Sequence, residues 1–186
     1  YEISECLVGS EMCIRDRLRL SPPDNERLSR GDTFVKQVGG AELNVAVGAA
    51  LLGLHTGVIS KLPAHDIGSF MKGKIRSFGV SDDFFMYDQS SSARVGIYYY
   101  ENGAYPRKPK VIYDRNNSSF FSLNIDEIPE EVYTASKCFH TTGITLALNE
   151  DIRETTIDMI KRFKAAGTLV SFDVNFRGNL WTGDEA

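Results

Sequence analysis

Apolar positions recur at helical spacing in some stretches of the chain and run together or alternate with polar ones in others. Ile152, Thr156, Ile157, Ile160 and Phe163 share one face of a 3.6-residue repeat, so a helix is expected from Asn149 or Glu150 to the stop at Gly167. Glu42 to Leu52 is Ala-, Val- and Leu-rich and closes on Gly53, and a second helix runs from a cap at Asp66 to about Phe78, ended by Gly79. Thr56 to Lys61 and Leu169 to Asp173 read as short buried strands, and a further strand leads into Thr141, Thr142 and Gly143. Strand–helix alternation of this kind predicts an α/β fold on a parallel sheet, with ligands bound beyond the carboxyl ends of the strands.

Two stretches break the alternation. Arg19 to Val38 and Arg94 to Arg115 lack a helical repeat and read as extended. Within the second, Ala93 to Tyr100 and Lys110 to Arg115 flank Asn102-Gly103, a hairpin-turn dipeptide. Side chains alternate across a strand, which puts Gly96, Tyr98 and Tyr100 on one face and Tyr113 with Arg115 on one face.

The richest chemistry lies at Gly39-Gly40-Ala41-Glu42-Leu43-Asn44, two glycines leading into a small-residue helix. Glycine lets a ligand approach the backbone, and the open N–H groups at a helix start favour hydroxyl, carboxylate or phosphate oxygens. Asn44 adds a donor and an acceptor, which suits a polyhydroxylated ligand. A plain turn before a buried helix explains the same residues equally well, so the motif needs its context.

Charge and cysteine content narrow the classes. The net charge is −4, half of it in residues 1–17, where Glu2, Glu5, Glu11 and Asp16 face Arg15 and Arg17. That balance leaves no basic footprint for nucleic acid. No apolar run approaches a membrane span, and the few cysteines build no disulfide framework, so a cytoplasmic protein is expected. Cys138, in an apolar run, reads as a structural thiol and His140 as a satisfied core histidine. His55 and His65 lack metal-ligand spacing, and no metal site is expected.

Residues 7–16 resemble one reading frame of a transposase-type sequencing adapter, with Cys6 and Arg17 compatible with its split edge codons. Residues 1–17 are therefore expected to be non-native, to lack partners for Leu7, Val8 and Ile14, and at most to fill an open edge slot of the sheet.

From residue 18 onward the chain carries Leu18-Arg19-Leu20-Ser21-Pro22-Pro23, Arg27-Leu28, Gly39-Gly40, Gly96-Ile97-Tyr98, Tyr113-Asp114-Arg115, Gly143-Ile144 and Asp173-Val174-Asn175-Phe176-Arg177. In this order the set resembles the ribokinase-like (PfkB-type) carbohydrate kinases. The resemblance implies the N-terminal part of such a kinase over 18–186, with a small β-sheet lid at about 18–38 and 93–116. It implies transfer of the ATP γ-phosphate, assisted by Mg²⁺, to 2-keto-3-deoxygluconate. Gly39, Gly40, Asn44, Tyr98, Tyr113, Arg115, Ile144 and Arg177 would then meet the sugar, and Asn175, Phe176 and Arg177 the nucleotide. Pairing of lids into a homo-oligomer is also implied.

The acidic substrate rests on arginine, whose fork binds a carboxylate bidentately. Arg115 as a solvated lid residue and Arg177 in a structural ion pair are the competing readings, and Asp173 reads as structural. The family's catalytic Gly-Ala-Gly-Asp is absent from 1–186, so no residue here is assigned as general base and this stretch by itself is expected to be inactive. A neutral-sugar kinase such as a fructokinase, or a non-catalytic sugar-binding or dimerisation module, remains open.

Overall fold

The computed structural model describes residues 17–176 and Gly178, together with the backbone of Ser10–Cys13. In chain order the elements are β1 (Ser10–Cys13), β2 (Arg17–Ser21), β3 (Val35–Gly39), α1 (Ala41–Leu51), β4 (Thr56–Pro63), α2 (Asp66–Arg76), β5 (Phe85–Asp88), β6 (Gly96–Glu101) and β7 (Lys110–Asp114). They continue with α3 (Glu131–Ala135), β8 (Cys138–Thr142), α4 (Gly143–Leu146), α5 (Glu150–Ala165) and β9 (Leu169–Asp173). A parallel sheet runs in the order β5-β4-β1-β8-β9, and a separate sheet in the order β3-β2-β6-β7.

β4 is buried along almost its whole length, as a strand covered on both faces must be. One core joins Val58 and Leu62 of β4, Leu43 and Ala46 of α1, and Met71 and Ile75 of α2 with Leu18 of β2. The other gathers Ile152, Met159 and Phe163 of α5 around Phe139 of β8 and Tyr133 of α3, with the Phe139 and Phe163 rings stacked at 4.3 Å. The helix stops at Gly53, Gly79 and Gly167 all adopt positive φ, the left-handed turn that releases a chain from a helix.

Several expectations are corrected. His65, not Asp66, caps α2: its Nδ1 accepts the Ile67 N–H at 3.2 Å while Nε2 lies 3.3 Å from the Ala93 carbonyl, so one ring ties the helix start to the chain entering β6. The helix ends at Arg76, short of Phe78. Asn102-Gly103 is not a tight turn. β6 and β7 pair antiparallel from Glu101↔Lys110 onward, and the intervening loop closes through an Ala104↔Arg107 bridge, neither Asn102 nor Gly103 taking the positive φ of a primed turn. Arg107 fastens that loop by donating to the Asn25 and Asn102 carbonyls and by pairing with buried Glu101 at 3.4 Å.

The largest correction concerns β1. It fills an interior slot, not an edge, with Ser10 opposite both Thr56 and Cys138 and Met12 opposite both Val58 and His140. An empty slot there would leave facing ladders of β4 and β8 without backbone partners, and any extended segment of the right reach relieves that cost. The other residues of 1–16, including Leu7, Val8 and Ile14, lie outside the described residues.

Candidate functional site

The small sheet has two chemically distinct faces because its strands alternate. Leu18, Leu20, Val38 and Ile97 turn toward the core. The intervening positions of β2 and β6 carry Arg17, Arg19, Tyr98 and Tyr100. Tyr98 and Tyr113 are direct cross-strand partners with ring centroids 6.3 Å apart. Arg115, one residue past the end of β7, holds its guanidinium 4.9 Å from the Tyr113 ring, and Arg17 holds its own 5.4 Å from Tyr98 and 5.7 Å from Tyr113. Burial pushes the Tyr98 phenol above its ordinary pKa, against the pull of Arg19 and Arg17, so its hydroxyl stays protonated and able to donate.

β3 delivers the chain from this face directly into α1. Gly40 caps the helix with φ −174°, an extended conformation open to any residue, and provides no side-chain cap. The opening N–H groups of α1 are therefore left as donors. Gly39 is constrained differently: a Cβ there would lie 2.5 Å from the Tyr98 hydroxyl. The room that glycine makes at this position is taken by Tyr98. Gly39→Ala is accordingly expected to displace the Tyr98 ring and weaken ligand binding while costing only about 1 kcal/mol of stability, which titration and a urea melt on one sample resolve.

Asn44 is exposed on the second turn of α1, and its carboxamide makes no hydrogen bond among the described residues. Glu42 turns the other way, 2% exposed. Its Oε1 accepts from the Thr142 hydroxyl at 2.6 Å and the Thr145 hydroxyl at 2.7 Å. The two bonds stitch the start of α1 to the carboxyl end of β8 and to α4, the edge at which a parallel sheet places its ligands. Ile144, between those threonines in sequence, is 7% exposed and offers an apolar wall, not a polar contact.

At the end of β9, the Asp173 carboxylate accepts the Asn175 N–H at 2.9 Å and closes a turn in which Asn175 takes φ +38°. Asp173 is thus structural, and the Asn175 carboxamide has no partner among the described residues. Phe176 is exposed, and Arg177 lies outside the described residues. Among the described residues, no group of three or more His, Cys, Asp or Glu side chains is placed to hold a metal ion.

His140 is only half satisfied. One ring nitrogen, Nδ1, lies 2.9 Å from the Ser171 hydroxyl, while buried Nε2 has no partner among the described residues. Cys138 is a free, half-buried thiol whose pKa burial pushes up, away from nucleophilic activation.

Gly39, Tyr98, Tyr113 and Arg115 thus fall together, with Gly40 and Asn44 at the adjoining helix start. Asn175 and Phe176 stand at the end of another strand. Glu42 and Arg17, which the sequence alone does not single out as site residues, lie beside this cluster. The signal for Glu42 was a lone acid in an apolar helix straight after Gly-Gly. For Arg17 it was the alternation Arg17-Leu18-Arg19-Leu20, which puts it on the Arg19 face.

Residues 6–185 match the model of the pfkB family carbohydrate kinases. A 2-dehydro-3-deoxygalactonokinase of Haloferax volcanii is 38% identical over 169 residues, covering 91% of this chain and 52% of its own. A probable fructokinase-3 of Arabidopsis thaliana is 32% identical, covering 85% of this chain and 45% of its own. The crystal structure of a 2-dehydro-3-deoxygluconokinase from Thermotoga maritima superposes with a TM-score of 0.90 at 35% identity, over 96% of this chain and 54% of the other. The chain spans about half the length of the curated relatives it matches.

Proposed function

We propose, from the premise that this chain belongs to the pfkB family of carbohydrate kinases, that the protein it represents phosphorylates an acidic keto sugar of the 2-keto-3-deoxygluconate type (2-dehydro-3-deoxygluconate is the same compound). The observation that carries this reading is Arg115. Its guanidinium stands over Tyr113 beside Tyr98, and it forms no ion pair among the described residues. A fork on a face of tyrosines, with no ion pair to a carboxylate among the described residues, suits a sugar bearing a carboxylate.

The residues divide the work of binding. Tyr98 and Tyr113 supply flat apolar area and hydroxyls, Asn44 and the open N–H groups of α1 meet sugar hydroxyls, and Ile144 closes an apolar side. Glu42 positions the helix start relative to β8 through Thr142 and Thr145. ATP supplies the phosphoryl group, with Asn175, Phe176 and Arg177 proposed to meet it. The exposed Val35, Val111 and Ile112 of the small sheet, with Phe34 just before β3, are proposed to pair with a second copy of the lid.

Arg115→Ala is expected to weaken binding of 2-keto-3-deoxygluconate roughly tenfold to a hundredfold, since a charge-assisted bidentate contact is worth about 1.5–3 kcal/mol. ATP binding should be unchanged, and Arg115→Lys should restore part of the loss because it keeps the charge without the fork. Calorimetric titration with the acid, fructose and ATP checks this. Equal losses for the acid and for fructose would overturn the acidic-sugar reading and favour a fructokinase, the reading that the Arabidopsis relative supports.

A further inference from the structure

α2 is pinned at its start to the parallel sheet and carries the small sheet beside it. A Cβ at Gly68 would collide with the Pro63 carbonyl oxygen, so the helix sits hard against the end of β4. The Ala64 N–H donates to the Asp88 carbonyl at 2.8 Å, and the His65 carbonyl accepts from the Ser69 N–H at 3.0 Å. From this fixed base the His65 ring reaches the Ala93 carbonyl, three residues before β6 opens at Gly96. The segments that enter β6 and leave β7 are fastened to each other close by. The Arg94 N–H donates to Ser119 Oγ at 3.1 Å, and the Arg94 carbonyl accepts from the Ser119 N–H at 2.8 Å. The Arg94 guanidinium also pairs with Asp114, the last residue of β7, at 2.7 Å. A hold on Ala93 is therefore a hold on β6 and β7 together. On the far edge of the small sheet, Lys36 of β3 stands 4.4 Å from the Phe70 ring of α2.

We infer that His65 is a positioning residue for the candidate binding face. Its Nε2–H bond to Ala93 sets how β6 stands against α2, and so places Tyr98 beside Gly39 at the entry to α1. The two contacts of the ring fix its tautomer. The Ile67 N–H is a donor, so Nδ1 presents a lone pair; the Ala93 carbonyl is an acceptor, so the proton is on Nε2. Val95 anchors the same segment in the core, but one buried side chain fixes a point and leaves a rotation free. The His65 bond supplies a second point, and Lys36 over Phe70 a third on the other edge. The ring is exposed, so the bond contributes direction more than stability. Its consequence for sugar binding rests on the proposed function above, whereas the fastening stands without it.

The test separates the helix cap from the fastening. His65→Asn keeps a favoured N-cap acceptor for the Ile67 N–H, but its carboxamide is too short to reach Ala93 as well. His65→Ala loses both contacts. In His65→Asn the β6 amides are expected to exchange with solvent about threefold to tenfold faster, the worth of one hydrogen bond, while the α2 amides keep the parent's protection. The Tyr98 ring resonances should shift with them, and the imidazole nitrogen spectrum of the parent should show the Nε2–H tautomer. In His65→Ala both β6 and α2 should lose protection. Calorimetric titration of His65→Asn should find 2-keto-3-deoxygluconate and fructose weakened alike, about threefold, with ATP unchanged, because the tyrosine face moves as a whole. Parent-like protection at β6 in His65→Asn, an unmoved Tyr98 ring or an Nδ1–H tautomer each overturns the inference and leaves His65 a cap alone. A loss confined to the acid overturns it too. A parent chain that binds neither sugar overturns the proposed function instead, and the exchange, ring and tautomer measurements still decide the inference.

Discussion

Deletion of residues 1–17 is expected to abolish the cooperative unfolding transition. The stretch contains β1, which is hydrogen-bonded to β4 on one side and β8 on the other. Without it the parallel sheet is cut into a β5-β4 piece and a β8-β9 piece, each with a newly unpaired row of backbone groups in the interior. A loss of several kcal/mol is on the scale of the whole stability of a domain, about 5–15 kcal/mol. Circular dichroism melts and hydrogen exchange at the β4 and β8 amides read the result. A deletion variant that melts as sharply and as high as the parent would show the segment to be dispensable, as its adapter-like sequence suggests.

A companion variant separates backbone from side chain. A strand flanked on both sides in a parallel sheet is ordinarily rich in Val and Ile, whereas Ser10-Glu11-Met12-Cys13 is not. Replacing those four residues by Val and Ile is therefore expected to raise the melting temperature. We propose that the native protein carries a more apolar strand here. An unchanged or lower melting temperature would count against that.

The second large effect is expected at Glu42. Glu42→Ala leaves the Thr142 and Thr145 hydroxyls buried without their acceptor, opens a cavity, and removes the carboxylate whose field supports Arg17. Together these should cost about 2–4 kcal/mol. Glu42→Gln should cost less than half as much, because an amide oxygen still accepts both hydroxyl bonds and only the charge is lost. Urea titrations of both variants, with Thr142→Val as the partner in a double-mutant cycle, measure the coupling directly. A Glu42→Ala variant within about 0.5 kcal/mol of the parent would mean that the junction between α1 and β8 is held by packing alone.

Local pattern carried much of the architecture. The helical repeat of Ile152, Thr156 and Phe163, the apolar strand at Val58-Ile59, and the stops at Gly53, Gly79 and Gly167 each depend on near neighbours in the chain, and each is where the repeat places it. The same holds for the tyrosine and arginine face of the small sheet, since alternation along a strand is a two-residue property.

Contacts made across long separations were not legible in this way. His65 caps α2 in place of Asp66 because its ring also reaches Ala93, and the loop after Asn102 is shaped by Arg107 reaching back to Asn25. Glu42 looks like a solvent-facing acid on a short helix until the fold brings Thr142 and Thr145 over it. By itself, then, the sequence determined the α/β class, the family resemblance and most of the residues on the candidate binding face, because periodicity and motif spacing are local. Only the tertiary structure decided that residues 10–13 fill the middle of the sheet, that Gly39 makes room for Tyr98, and that Arg17 and Arg115 both stand near the Tyr113 ring. Each of those depends on which segments fold against one another, and burial and unmatched charge acquire a value only once that is set.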